Sequence, residues 1–79
     1  MKKDEFIIKL SEFCEFSETD LTIDTKFKAI EGFDSMAIMA MIAFVDENYD
    51  MKITATQIST LSDFSSLISL IGKEKFEDD

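Results

Sequence analysis

The sequence predicts an all-α fold: a small four-helix bundle of three longer helices and one short helix, with a long loop between the first two. Apolar residues recur at helical spacing in four separate stretches, which is typical of amphipathic helices. At 79 residues the chain has room for one domain, and no proline- or glycine-rich linker divides it. We therefore predict a single domain over residues 1–79, with a charged, flexible tail at 73–79.

The first helix is predicted over residues 4–16. The side chains expected to face the core are those of Phe6, Ile7, Leu10, Phe13, Cys14 and Ser17. Those expected to face water are Lys9, Ser11, Glu12 and Glu15.

Residues 17–34 lose the helical periodicity and predict a long connection. Its dispersed apolar residues are expected to anchor it to the bundle, and they are Leu21, Ile23, Phe27, Ile30 and Phe33. A loop of this length in a small domain is commonly functional.

The second helix is predicted over residues 35–49. Its core face is expected to consist of Ile38, Met41, Ile42, Val45 and Tyr49. The remaining sides are also apolar and carry Met36, Ala37, Met39, Ala40, Ala43 and Phe44. The pattern leaves open whether Met36, Met39 and Ala43 pack against another helix or stay available to a partner.

A short third helix is predicted over residues 54–59. The segment 60–63 matches a capping box, in which Thr60 and Asp63 would start a fourth helix that ends at Ile71. Its core face is expected to carry Leu61, Phe64, Leu67, Ile68 and Ile71. Gly72 is expected to end this helix in the left-handed conformation.

Composition argues against several functions. The chain lacks histidine and arginine, so the usual general base and the bidentate phosphate clamp are missing, and an independent enzyme is not expected. The net charge of −9 repels nucleic acid and anionic membranes and favours protein partners with basic patches. The chain has no signal-peptide core and no apolar stretch long enough to span a membrane, which predicts a soluble, cytoplasmic protein. We also expect a monomer.

Three alternative sites are weak on chemical grounds. Asp46, Asn48 and Asp50 match the first positions of a calcium loop, but Met51 stands where glycine is required and Gln57 where a bidentate glutamate is required. No metal site is therefore predicted. A nucleophilic serine would have no histidine to activate it. Cys14 is the only cysteine, and we expect a small core residue rather than a reactive thiol.

The most informative segment is the junction between the long loop and the second helix. Asp34 and Ser35 stand where exposed backbone N–H groups need a cap, and the positive end of the helix favours an anion bound to Ser35. The junction suits a tethered phosphate. A purely structural cap is the simpler alternative.

The segment Gly32-Phe33-Asp34-Ser35-Met36, in this helical context and spacing, resembles the acyl carrier proteins over nearly the whole chain. The resemblance implies that Ser35 accepts 4′-phosphopantetheine from coenzyme A through a separate Mg²⁺-dependent phosphopantetheinyl transferase. It also implies that the terminal thiol of this arm carries an acyl or aminoacyl group as a thioester between enzymes. The partners it implies are the transferase, an acyl or aminoacyl ligase, and acyltransferases or synthases with basic docking patches.

The predicted recognition surface lies along the helix that begins at the serine. Residues 29–51 contain no lysine, and the candidate recognition residues are Asp34, Met36, Met39, Asp46 and Glu47. Ala37 and Ala40 stand where carriers of fatty-acid synthesis usually have acids. Together with Phe33, these departures favour a specialised pathway. The competing hypothesis is an unmodified acidic interaction module that docks through a surface formed by Met36, Met39 and Phe44.

Overall fold

A computed structural model describes residues 1–17 and 20–77 of the chain. Its helices are α1 (Lys3–Phe13), α2 (Ser35–Tyr49), α3 (Ala55–Ser59) and α4 (Phe64–Ile71), with short 3₁₀ turns at Phe27–Ala29 and Lys73–Lys75. The described ranges contain no β-strand, so the predicted small helical bundle is confirmed. None of these helices combines the length and apolar character needed to cross a membrane.

Helix α1 ends three residues earlier than the sequence predicts, and two of its side chains exchange roles. Phe6, Ile7 and Leu10 are buried as predicted. Ser11 was expected in water but is buried, because its hydroxyl donates to the carbonyl of Ile7 at 2.6 Å and so remains hydrogen-bonded in an apolar setting. Phe13 was expected in the core but is exposed.

The long connection after α1 is anchored as predicted, mainly by the buried side chains of Phe27 and Ile30. Backbone bonds also join it to the residues around the start of α4: Phe27 N–H donates to Ser62 O at 2.9 Å, and Ser65 N–H donates to Ile23 O at 2.9 Å. These bonds place the middle of the loop against the start of α4.

Helix α2 has the predicted bounds but a different buried face. Met41 and Val45 are buried as predicted, whereas Ile38, Ile42 and Tyr49 are only half-buried. The placement of Ala37 and Phe44 on the outer sides is wrong, since both are buried. Helix α1 and the residue that follows it cover them: the Phe44 ring lies 5.7 Å from that of Phe6, and Cys14 Sγ lies 3.8 Å from Ala37 O.

Helices α3 and α4 each begin with a capping box, at Thr54 with Gln57 and at Asp63 with Ser66. The predicted box at Thr60 is wrong, because the Thr60 hydroxyl donates to Gln57 O at 2.6 Å and so caps the end of α3. Gly72 ends α4 with φ 120° and ψ 117°, a glycine-favouring conformation outside the predicted left-handed helical region.

The C-terminal segment packs onto the bundle, in contrast to the flexible tail expected for residues 73–79. The ring of Phe76 is buried, with its centroid 5.1 Å from Phe6 and 5.4 Å from Tyr49. Glu77 N–H donates to Met1 O at 3.1 Å. Residues 78 and 79 of the predicted tail lie outside the described residues.

Candidate functional site

A tight turn delivers the chain to the start of α2. Phe33 N–H donates to Ile30 O at 3.2 Å, and Gly32 in the third position of the turn has φ +87°. A positive φ at this position is the mark of a type II turn, which favours glycine. Gly32 therefore directs Phe33 and Asp34 toward the helix.

Aromatic packing holds the end of this turn. The Phe33 ring stacks on that of Phe27, with centroids 5.3 Å apart and 12° between their planes. Phe27 in turn meets Phe64 of α4 edge-on at 5.0 Å. The residue before Asp34 is thus tied to the bundle core through two successive ring contacts.

Asp34 caps the helix, as its residue type predicts. Its backbone is extended, and its Oδ1 accepts a hydrogen bond from Ala37 N–H at 3.0 Å. Because Asp34 uses its carboxylate in this way, it contributes to the start of α2 as well as to the surface charge.

Ser35 is the first residue of α2, and it is exposed. Across the part of the chain that the structure describes, no side chain or backbone group forms a hydrogen bond with its Oγ. The first N–H groups of a helix lack intrahelical partners and create a positive potential there. A phosphate ester on Ser35 would therefore sit in a favourable field with nothing to displace.

Other serines of the described segments do not combine exposure to solvent with a place at a capped helix start. Ser11 is buried and hydrogen-bonded to Ile7 O, and the Ser66 hydroxyl forms part of the capping box of α4. Ser65 also lies in the first turn of α4 but is half-buried. Ser35 therefore differs from them in being both exposed and placed at a capped helix start.

Two methionines beside Ser35 face solvent. Met36 is 81% exposed and Met39 is 66% exposed, so the question left open by the sequence is answered in favour of an available surface. Phe44 is only 3% exposed. The predicted surface of Met36, Met39 and Phe44 is consequently wrong in its third member, which packs under α1.

The predicted acidic recognition residues are not equivalent. Asp46 Oδ2 lies 3.0 Å from Lys52 Nζ, so part of its charge is neutralised within the chain. Glu47 is exposed and has no ion-pair partner within the described residues. The sequence pattern missed Lys52, because it lies beyond the end of α2 and returns toward Asp46 only after the turn at Asp50.

Ala37 and Ala40 have a structural explanation. Ala37 is buried against α1, and Ala40 is half-buried beside it. An acid at residue 37 would have to bury a charge, which is strongly unfavourable. The absence of acids at these positions therefore reflects close helix packing.

Cys14 lies behind the site and contacts the Ala37 carbonyl. Burial raises the pKa of the Cys14 thiol from 9.0 to about 11, which keeps it protonated near neutral pH. The described residues also contain no group of three His, Cys, Asp or Glu side chains that could hold a metal ion.

The structure thus brings together the exposed Ser35 hydroxyl and a helix start that the Asp34 carboxylate caps. The chain belongs to the family described as phosphopantetheine attachment site, whose profile matches residues 5–71. Members of this family are non-catalytic carriers of the acyl carrier protein type that bind 4′-phosphopantetheine covalently and interact with phosphopantetheinyl transferases and with synthases or ligases. Comparisons with curated proteins and with solved structures gave no significant match.

Proposed function

We propose that Ser35 is the residue to which 4′-phosphopantetheine is attached, and that the arm carries an acyl or aminoacyl group as a thioester between partner enzymes. The observation that supports this most directly is the exposed, unbonded Ser35 hydroxyl at the start of α2, within the residues that match the family. The cofactor fits this position because the helix start stabilises a phosphodiester and no neighbouring side chain covers it.

The protein's own part in the attachment reaction is to present the hydroxyl. The Ser35 oxygen would form a bond to the pantetheine-linked phosphorus of coenzyme A, breaking the pyrophosphate link and releasing adenosine 3′,5′-bisphosphate. The serine proton has to pass to the transferase or its bound solvent, because the described residues place no base within hydrogen-bond reach of Oγ. Capping by Asp34 keeps the helix start intact while Ser35 reacts.

The attachment is tested by intact mass after incubation with coenzyme A, Mg²⁺ and a broad-specificity transferase. We expect one phosphopantetheinyl group on the wild-type chain and none on Ser35→Ala. Ser65→Ala is the matched control, since Ser65 occupies the first turn of α4, and it should be modified as fully as the wild type. Attachment to Ser35→Ala, with the fold preserved by circular dichroism, would contradict the assignment.

Partner enzymes are proposed to dock on the surface formed by Met36, Met39 and Glu47. Exposed methionines suit adaptable contacts, and an unpaired carboxylate at the far end of α2 attracts basic patches. Glu47→Lys should slow loading by the transferase more than Asp46→Lys does, because Asp46 is already paired with Lys52. The wild-type rate should fall with added salt. Equal, salt-independent rates would argue against charge steering.

The cargo and the pathway are proposed from the sequence departures alone. The resemblance of the segment around Phe33 to specialised carriers favours a dedicated pathway and a short acyl or aminoacyl load. Loading assays with purified ligases of both classes would separate these loads, with the covalent adduct identified by mass.

A further inference from the structure

A groove of about 470 Å³ lies between α1 and α2, away from the start of α2. Its lining consists of Lys9, Glu12, Phe13, Phe44, Glu47 and Asn48. Phe44 lies nine positions after Ser35, which places it roughly 13–14 Å further along the helix axis. The groove is therefore separate from the serine.

The exposed apolar surface of the groove comes from the ring of Phe13, which packs on the buried ring of Phe44. Phe13 is 47% exposed, and its centroid lies 5.6 Å from that of the buried Phe44, with 43° between the planes. Exposing a large aromatic side chain forgoes the free energy that its burial would give. A partner side chain placed against Phe13 would recover part of that free energy.

The polar rim of the groove carries carboxylates that can attract cationic side chains. Glu12 and Glu47 have no ion pair within residues 1–17 and 20–77. Lys9 Nζ lies 3.4 Å from Glu5 Oε2, one turn earlier in α1, so its charge is partly offset by that carboxylate. Asn48 Nδ2 donates back to Phe44 O at 2.9 Å. The lining of the groove thus combines an exposed aromatic ring with two carboxylates, those of Glu12 and Glu47, that form no ion pair within the described residues.

We propose that this groove is a second docking site, which receives a positively charged segment of a partner protein. The segment places one aromatic or branched aliphatic side chain against the exposed ring of Phe13, and its Lys or Arg side chains pair with Glu12 and Glu47. Apolar contact supplies the anchor, and the carboxylates select partners by charge. The proposal goes beyond attachment at Ser35, since no part of it involves that residue. The groove shares only Glu47 with the surface proposed above for partner enzymes.

The test is an NMR titration of isotope-labelled apo protein with two short synthetic peptides of equal Lys and Arg content. One peptide has a central Phe, and the other has Ala in its place. We expect the Phe peptide to shift the amide signals of groove residues and to bind about tenfold more tightly than the Ala peptide. Because apo protein is used, the result does not depend on whether Ser35 is modified.

Variants on α1 locate the binding. Phe13→Ala should remove most of the preference for the Phe peptide, and Glu12→Gln should weaken both peptides at low salt. Ile8→Ala is the matched control, because Ile8 is 60% exposed on the same helix but does not line the groove. Asp24→Asn, an exposed loop acid, is the charge control. Neither control should change the affinities.

Several results would overturn the proposal. Equal binding of the two peptides would mean that only charge is recognised, and shifts confined to Met36 and Met39 would place the binding elsewhere. Groove shifts that depend on protein concentration would indicate a second copy of the chain as the occupant. Groove shifts caused by attachment of the cofactor alone would indicate the arm. If Phe13→Ala fails to fold, an unchanged affinity in Glu12→Gln still overturns the proposal.

Discussion

The ring of Phe33 lies nearly parallel to that of Phe27, with centroids 5.3 Å apart, and this stack fixes the backbone one residue before the Asp34 cap. Phe27 belongs to the loop segment whose backbone is bonded to Ser62, and its ring meets Phe64 of α4. The position of Ser35 therefore depends on packing between the loop and the start of α4. Local capping by Asp34 accounts for only part of the geometry.

Phe33→Ala should lower the free energy of unfolding and slow attachment of the cofactor. Loss of a half-buried aromatic contact costs about 1–3 kcal/mol, and a less fixed helix start presents Ser35 less often in the reactive position. Chemical denaturation and the transferase kcat/KM measure the two effects. Phe33→Leu keeps an apolar contact, so both its free energy of unfolding and its kcat/KM should lie between those of the wild type and Phe33→Ala. A Phe33→Ala variant with wild-type kcat/KM would show that the stack contributes to stability alone.

Helix α2 allows a second test, which separates folding from recognition. Met41 is fully buried and Met39 is 66% exposed, two positions apart on the same helix. Met41→Ala should destabilise the protein by about 2–5 kcal/mol, because it leaves a cavity in the core. Met39→Ala should stay within about 0.5 kcal/mol of the wild type and should weaken transfer to partner enzymes. Thermal melts and transfer rates measured on both variants check the difference, and a larger loss of stability in Met39→Ala would contradict the observed rotation of the helix.

The bounds of α2 could be predicted from the sequence, but its rotation could not. Asp34 marks the start through its capping side chain, and the polar residues after Val45 mark the end. Between them nearly every side chain is apolar, so periodicity favours no single face. The buried side is decided by α1 and its C-cap, because Phe6 contacts Phe44 and Cys14 contacts Ala37. Contacts between residues so far apart in the chain leave no local signal in the sequence.

The sequence predictions for the Thr60 cap and for the exposure of Ser11 were wrong because both depend on hydrogen bonds that spacing and hydropathy do not reveal. Thr60 and Asp63 fit a capping box by spacing, yet Thr60 bonds backward to Gln57 and Asp63 bonds forward to Ser66. Spacing cannot say which of two adjacent helices a hydroxyl serves. Ser11 was misplaced because its bond to Ile7 O satisfies a hydroxyl in a buried setting, which hydropathy alone does not anticipate.

Asp63 should make stability depend on pH in the acid range. Its pKa is held below the ordinary value of 3.8 chiefly by the Ser66 backbone N–H, and further by Lys26. A carboxyl whose pKa is lower in the folded state stabilises the fold above its unfolded pKa, and this contribution is lost as the pH falls through the folded value. Asp63→Asn keeps a capping oxygen but no charge. The stability advantage of the wild type over this variant, measured by urea denaturation, should therefore shrink below about pH 4.

Lys26→Met tests the smaller of the two causes of the lowered Asp63 pKa, which is the nearby Lys26 ammonium group. It removes the ammonium group 3.1 Å from Asp63 Oδ2 and leaves the Ser66 bonds in place. The acid dependence should be reduced but not abolished, because the backbone bond is the larger cause. An advantage of wild type over Asp63→Asn that is constant across the acid range would contradict the lowered pKa.

The two thiols of the modified protein should differ sharply in reactivity. Burial raises the pKa of Cys14 from its ordinary value of 9.0 to about 11, so the folded protein holds far less Cys14 thiolate near pH 8 than an exposed cysteine would. The thiol of an arm attached to Ser35 would reach solvent freely. A colorimetric thiol reagent should find one fast thiol in the modified chain and no fast thiol in the unmodified chain or in Ser35→Ala. Unfolding in urea should make Cys14 react rapidly in all three. A fast thiol in folded, unmodified protein would mean that Cys14 is accessible and that the packing of α1 against Ala37 is looser than the 3.8 Å contact implies.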